Sequence, residues 1–320
     1  MKVLANDGIS KSGVEALEKG GFEVITTKVA QEQLVSYINE NKIDVLLVRS
    51  ATKVRKDLID ACESIKVIGR GGVGMDNIDV EYARSKGISV INTPAASSQS
   101  VAELVFAHLY GGVRFLYDAN RNMPLEGESK FPQLKKAYAG GQELRGKTIG
   151  IIGLGRIGIE TAKIALGVGM KVIAADKFVD KADVVVDFFN GQSVKIEIET
   201  QPLEEVYKVA DFISLHVPAQ KGYVIGKKEL DLMKEGVAIV NASRGGVIDE
   251  VALIEALDSE KVAFAGLDVF ENEPTPAIKV LMHPKISLTP HIGAATKQAQ
   301  DRIGTELAQQ IISILKSETV

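Results

Sequence analysis

The run Thr148-Ile149-Gly150-Ile151-Ile152-Gly153-Leu154-Gly155-Arg156-Ile157-Gly158 decides how this chain is read. A β-branched stretch ends in glycines spaced Gly-x-Gly-x-x-Gly, and a helical stretch, Ile159 to Gly167, follows at once. The first glycine permits a tight turn, the second lets backbone approach a pyrophosphate, and the third lets the helix pack on the strand. The unpaired N–H groups of the helix start then favour an anion. Asp176 closes the next strand, about 20 residues on, where a carboxylate accepts from the ribose hydroxyls of NAD and repels the extra phosphate of NADP. Lys177 beside it softens that repulsion. NAD is therefore expected at Gly153, Gly155, Arg156, Ile157, Gly158 and Asp176.

Working outward, short β-branched runs alternate with amphipathic segments almost from end to end, which is the pattern of parallel α/β sheets. Val3-Leu4-Ala5, Phe22 to Ile25, Val45 to Val48, Val67-Ile68 and Val90-Ile91 form one series; the run from Thr148, with Val172 to Ala174, Phe212 to Leu215, Ala238 to Val240, Ala263 to Ala265 and Ile286 to Leu288, forms a second. The expected fold class is α/β with two doubly wound parallel-sheet domains, one a Rossmann domain and one flavodoxin-like. Val101 to Arg121, with Gly111-Gly112 in its middle, is too long for a loop and reads as a connecting helix. Ile303, Leu307, Ile311 and Leu315 make an apolar stripe that needs a surface to cover.

Bulk properties narrow the function. A chain of 320 residues with 45% hydrophobic and 25% charged residues is long enough for two cores, and a net charge of −4 offers no general attraction to nucleic acid or to an anionic membrane. No apolar run approaches the roughly 20 residues that span a bilayer. With Cys62 alone there is no intramolecular disulfide, and the start Met1-Lys2-Val3-Leu4 lacks a signal-like apolar stretch, so a soluble cytoplasmic protein is expected. No metal site is expected.

A second stretch, Gly69-Arg70-Gly71-Gly72-Val73-Gly74, has the same spacing and also follows a strand. Met75-Asp76-Asn77 interrupts before the next helix and the following strand ends at Asn92 instead of an acid, so the cofactor context fails. Consecutive glycines can aim backbone N–H groups at a carboxylate, or simply supply a turn with positive φ; the pattern leaves both open. Residues just beyond strand ends are the favoured chemists in such sheets. His216 in Leu215-His216-Val217-Pro218 and His291 in Pro290-His291-Ile292-Gly293 both qualify, as do Arg244, Glu271 and Glu273, whereas His108 and His283 read as structural.

Taken together, the glycine loop, Asn241-Ala242-Ser243-Arg244-Gly245-Gly246-Val247-Ile248-Asp249, Leu267-Asp268-Val269-Phe270-Glu271-Asn272-Glu273-Pro274 and Pro290-His291-Ile292-Gly293 resemble the D-isomer-specific 2-hydroxyacid dehydrogenases over nearly the whole chain. The resemblance implies Arg244, Glu273 and His291 as catalytic residues, with His291 as acid and base, Glu273 supporting it, and Arg244 binding the substrate carboxylate. It implies cofactor contacts from Ala242, Ser243, Arg244, Asp268, His291 and Gly293, and makes His216, Val217 and Pro218 a wall of the adenosine pocket. Val73 and Gly74 then match the substrate-carboxylate loop. It further implies a substrate-binding domain of residues 1–97 plus 296–320, an NAD-binding domain of residues 98–295, and an active site in the cleft between them.

Val48-Arg49-Ser50-Ala51-Thr52-Lys53-Val54 resembles the corresponding loop of the family's phosphoglycerate dehydrogenases, so the expected partner is a phosphorylated 2-hydroxy acid, held by Arg49, Ser50 and Arg70. An ion pair of Arg49 with Asp76 or Asp79 is the bland alternative. A hydroxypyruvate or glyoxylate reductase, and an NAD(H)-sensing corepressor-like binding protein, are the rival functions. Ending near Val320, the chain is expected to lack the regulatory domain of longer phosphoglycerate dehydrogenases. Two further expectations are a homodimer, through Leu104, Val105, Leu109, Val113, Phe115 and Leu116, and added β-structure between Asp183 and Pro202, where Asn190-Gly191 signals a hairpin.

Overall fold

The computed structural model describes residues 1–317, which fall into two compact units: Met1–Ser98 with the segment from Ala294 onward, and Gln99–Gly293. In the first unit, strands β1 (Lys2–Ala5), β2 (Glu23–Ile25), β3 (Val45–Val48), β4 (Val67–Arg70) and β5 (Ser89–Asn92) form a wholly parallel sheet in the order β2-β1-β3-β4-β5. That is the flavodoxin-like order. Every residue of β3 is buried, because helices cover both faces of a central parallel strand and an unbroken aliphatic run is what such a strand needs. Successive residues serve opposite faces. Leu4, Leu46 and Val48 meet Leu34, Ile38, Leu58 and Ala83 on one side, while Val3, Ala5, Val45 and Leu47 meet Leu17, Ile303, Leu307, Ile311 and Leu315 on the other.

The apolar stripe near the end of the chain thus finds its surface in the first unit. Helix Lys297–Ser317 lies across helix Lys11–Lys19, and the crossing is close enough that a Cβ at Gly13 would stand 2.8 Å from the Gly304 Cα. Glycine at both positions lets the two backbones meet.

The second unit carries β6 (Thr148–Ile152), β7 (Lys171–Ala175), a hairpin of β8 (Lys181–Asp187) and β9 (Ser193–Glu199), then β10 (Phe212–Leu215), β11 (Val237–Asn241), β12 (Val262–Leu267) and β13 (Ile286–Leu288). The six parallel strands run β13-β12-β11-β10-β6-β7, a Rossmann order that reverses between β6 and β10. Where a third strand would extend the sheet beyond β7, only Thr200 bridges Ala174, and the chain instead builds the antiparallel β8–β9 pair. Phe188 N–H donates to the Gln192 carbonyl and Gly191 N–H to the Phe188 carbonyl, with Gly191 at φ +82°. This is a three-residue loop closed by a left-handed glycine, a common hairpin connection. Asn190-Gly191 signals it correctly.

Two expectations about the connecting helix need correction. It is two helices, Ser98–Val113 and Leu116–Ala137, with the break at Phe115, φ +55°, and the paired glycines inside the first helix. Gly112 serves packing: a Cβ there would enter the Phe264 ring. Val105, Leu109 and Val113 are buried against β6, β11 and β12 in the unit's own core, leaving Tyr110, Leu116, Met123, Leu125 and Phe131 as the exposed apolar residues of this stretch. Among the described residues no helix is long and apolar enough to cross a membrane.

Candidate active site

The glycine loop leaves β6 beside the point where the strand order reverses. Gly153 takes φ +98°, and a Cβ on it would stand 2.5 Å from the His216 carbonyl oxygen, so the loop after β10 rests directly on this turn. A Cβ on Gly158 would overlap the Gly153 carbonyl, which is how helix Arg156–Val168 packs down on its strand. Gly155, by contrast, is exposed and has nothing within 4 Å of its Cβ position. Two glycines are closed by protein and the middle one, at the helix N-terminus beside exposed Arg156 and half-buried Ile157, is open, which fits a dinucleotide pyrophosphate. Asp176 Oδ2 accepts from Leu154 N–H at 2.7 Å and Oδ1 from Phe178 and Val179 N–H at 2.8 and 3.1 Å. The carboxylate is thereby fixed against the loop, with lone pairs left for hydroxyl donors.

Three of the four histidines are unfit for proton transfer. His216 pairs its Nε2 with Ser214 Oγ at 2.9 Å, its Nδ1 is enclosed without a partner, and burial pushes its pKa down to about 3. It is neutral at any physiological pH, and half-buried Val217 and exposed Pro218 follow it. His108, in helix Ser98–Val113, is buried and bonded at both nitrogens, to Ser287 Oγ at 2.9 Å and Thr289 Oγ1 at 3.0 Å; burial holds its pKa below the ordinary value against the opposing pull of Asp268. His283 is buried between Asp258 and the Lys285 N–H.

His291 is different. Its side chain is 40% exposed and its Nδ1 lies 2.8 Å from Glu273 Oε2. Burial raises the Glu273 pKa, but the His291 hydrogen bond and charge, the Phe270 N–H at 3.0 Å and the nearby Arg244 charge outweigh it and hold the carboxyl below its ordinary range. Glu273 is therefore an acceptor at neutral pH, so Nδ1 carries the proton and the lone pair of a neutral ring is on Nε2. That is the arrangement of a general base whose imidazolium form is stabilised from behind. Arg244 follows β11 in a loop stapled by Asn241, whose side chain accepts from Ser243 N–H and Oγ and donates to the Arg244 carbonyl. Ala242 and Ser243 are buried in this turn, and a Cβ on Gly245 would overlap the Phe270 carbonyl, drawing the arginine loop against the glutamate loop.

Asp268 is 1% exposed, and its carboxylate accepts from Thr289 Oγ1, Ile292 N–H and Gly293 N–H at 2.6, 2.8 and 2.8 Å. His291 N–H donates to the Asp268 carbonyl at 2.8 Å. What this geometry gives Asp268 is the task of holding the histidine loop.

In the first unit the loop after β3 is organised by a residue that sequence reading overlooked. Asp7, just past β1, accepts from Arg49 N–H, Thr52 N–H and the Thr52 hydroxyl, while Asn77 donates to the Arg49 and Thr52 carbonyls. A cavity of about 500 Å³ opens there, lined by Asp7, Lys28, Arg49 and Ser50 among others. Arg49 does not pair with Asp76 or Asp79; Arg55 does so, at 2.9 Å to Asp79 Oδ1 and to the Asp76 carbonyl. Lys28 was missed because a lone lysine after an edge strand carries no motif. Arg70 lies one strand over, packed so that a Cβ on Gly72 would meet its guanidinium, and the Gly72 N–H donates to Thr93 while the Val73 carbonyl accepts from Asn92. The next helix starts only at Val80, so Gly74 does not open a helix.

Residues 106–293 match the model of the D-isomer specific 2-hydroxyacid dehydrogenase NAD binding domain. Over 98% of both chains the protein is 43% identical to a hydroxypyruvate reductase of Thermotoga maritima, and over 99% of its length it is 42% identical to a D-3-phosphoglycerate dehydrogenase of Methanocaldococcus jannaschii, of which it spans 58%. Among solved structures, an NAD+-bound 3-phosphoglycerate dehydrogenase of Entamoeba histolytica superposes with a TM-score of 0.77 at 28% identity, covering 99% of this chain and 95% of that one. The unit that carries the open glycine loop is thus an NAD-binding domain, and the chain belongs to the D-isomer-specific 2-hydroxyacid dehydrogenases.

Proposed function

We propose that the protein oxidises D-3-phosphoglycerate to 3-phosphohydroxypyruvate. The observation that carries this reading is the pair of cations, Arg49 and Lys28, which line a cavity with Ser50 and make no ion pair among the described residues. A phosphate dianion supplies what such a site lacks, and a guanidinium beside a hydroxyl donor suits its oxygens. Arg70 adds a further cation, and the backbone at Val73 and Gly74 takes the substrate carboxylate. NAD, when bound, receives the hydride. His291 Nε2 takes the hydroxyl proton, Glu273 stabilises the resulting imidazolium, and Arg244 polarises the reacting oxygen. In reduction the same ring returns the proton.

A second reading is reduction of unphosphorylated hydroxypyruvate, which the Thermotoga relative's name supports because the match runs over 98% of both chains. Catalytic efficiency toward phosphohydroxypyruvate and hydroxypyruvate separates the two. Arg49→Ala should lower efficiency on the phosphorylated acid by about a hundredfold, the value of one charge-assisted bidentate contact, and leave the other nearly unchanged. Preference of the native enzyme for the unphosphorylated acid would favour the second reading. We also infer a homodimer, supported by the exposed Leu116, Leu125 and Phe131 of helix Leu116–Ala137, which sedimentation at micromolar concentration tests. Residence in the reducing cytoplasm fits the single, buried Cys62.

A further inference from the structure

The proton-transfer histidine sits on an unfavourable piece of backbone. His291 has φ +54°, a left-handed conformation that costs a residue with a Cβ about 1 kcal/mol, so something must hold it there. Asp268 does so on both sides, through its carbonyl to His291 N–H and its carboxylate to Ile292 and Gly293 N–H. The same carboxylate takes the only proton of the Thr289 hydroxyl, at 2.6 Å. Thr289 Oγ1 can then serve His108 only as an acceptor, so His108 Nε2 must be the donor across their 3.0 Å contact. A neutral ring with Nε2–H has a bare Nδ1, which accepts from Ser287 Oγ at 2.9 Å. Room for the ring comes from Gly266 on β12, where a Cβ would stand 2.6 Å from His108 Cβ.

We propose that His108 is a positioning residue for His291: its Nε2–H orients the Thr289 hydroxyl toward Asp268, and Asp268 in turn holds the left-handed histidine loop. The ring touches neither substrate nor cofactor in this scheme. It lies on a separate helix and completes a chain of donors, Ser287 to His108 to Thr289 to Asp268, in which each proton has one destination. Without the Nε2–H, the half-buried Thr289 oxygen is left with an unfilled lone pair and its hydroxyl is free to turn away from Asp268.

This assignment rests on the catalytic role of His291, so the test measures both. His108→Met keeps volume and removes the donor; His108→Gln places an amide N–H near the Nε2 position. Turnover of His108→Met should fall about tenfold, a modest misplacement of the base, while KM and NADH affinity stay within about twofold. His108→Gln should recover most of that loss. Thr289→Val should match His108→Met, and the double variant should be no worse than Thr289→Val, because the two act through one path. Equal impairment of the Gln and Met variants, or additive losses in the double variant, would overturn the proposal. Should His108→Met fail to fold, nitrogen NMR of the native protein decides, since a ring protonated at Nδ1 instead of Nε2 is incompatible with it. His291→Ala, assayed alongside, separates the two claims: a fully active His291→Ala overturns the catalytic reading, whereas an inactive one beside an unimpaired His108→Met overturns only the role of His108.

Discussion

The two glycine loops, Gly69 to Gly74 and Gly153 to Gly158, have the same spacing and each follows a parallel strand, yet they are built differently. In the second, the helix begins at Arg156, inside the motif, and the open Gly155 stands at its N-terminus. In the first, the residues from Gly71 to Asp79 are loop and the glycines are spent on neighbours, Gly71 against Ile303 and Gly72 against Arg70. The lesson is that a glycine motif acquires an anion-binding helix end only when the helix starts within it. Spacing alone does not specify one.

The sharpest way to break this contrast is to put a side chain on each loop. Gly158→Val should weaken NADH binding at least about a hundredfold, because its Cβ has no place but the Gly153 carbonyl, and fluorescence titration reads it directly. Gly72→Ala should leave NADH affinity within about twofold and act on substrate KM through Arg70. Comparable loss of NADH binding in both variants would erase the distinction. A smaller effect is expected from Asp176→Ala, which should narrow the NAD over NADP preference about tenfold while pyrophosphate binding persists; an unmutated protein that uses NADP equally well would contradict it.

The smallest expected effect is on stability. His216, packed on the cofactor loop, refuses in the fold a proton that the unfolded ring accepts below its ordinary pKa. Stability is therefore full at neutral pH and is lost on acidification, by roughly 2 kcal/mol from this ring between about pH 7 and pH 5. Denaturant melts of the native protein and of His216→Gln should differ in slope by that amount. Parallel slopes would show the ring to be solvated.

The sheets were legible because buried parallel strands need β-branched runs, and Val45 to Val48 and Val237 to Val240 are such runs with no competing signal. Asn190-Gly191 announced its hairpin because few dipeptides tolerate left-handed backbone so readily. Illegible features were those set by neighbours distant in sequence. Nothing local marks Phe115 as left-handed, and apolar residues on a helix do not say which surface they cover, so Val105 and Leu109 pass for an exposed face until the sheet beneath them is seen. Likewise the sequence permits Arg49 or Arg55 to pair with Asp79, and only the fold gives that acid to Arg55. Asp7 and Lys28 stand alone after strands, without a partner at fixed spacing, and strand-end position was their one available signal.

The first unit is made from both ends of the chain, and that has a consequence for how the protein is born. Helix Lys297–Ser317 emerges from the ribosome only after the whole of Gln99–Gly293, an interval of roughly 10 to 40 seconds at ordinary elongation rates. Until then Val3, Ala5 and Leu47 lack the cover that Ile303, Leu307, Ile311 and Leu315 later provide. The NAD-binding unit has all its strands in one continuous segment and is free to fold first, while the nascent five-stranded sheet waits with one aliphatic face covered only in part, by Leu17 and Phe22. Chaperone dependence during synthesis should accordingly concentrate on the amino-terminal strands, and a ribosome stalled just before Lys297 should display them in their stickiest form.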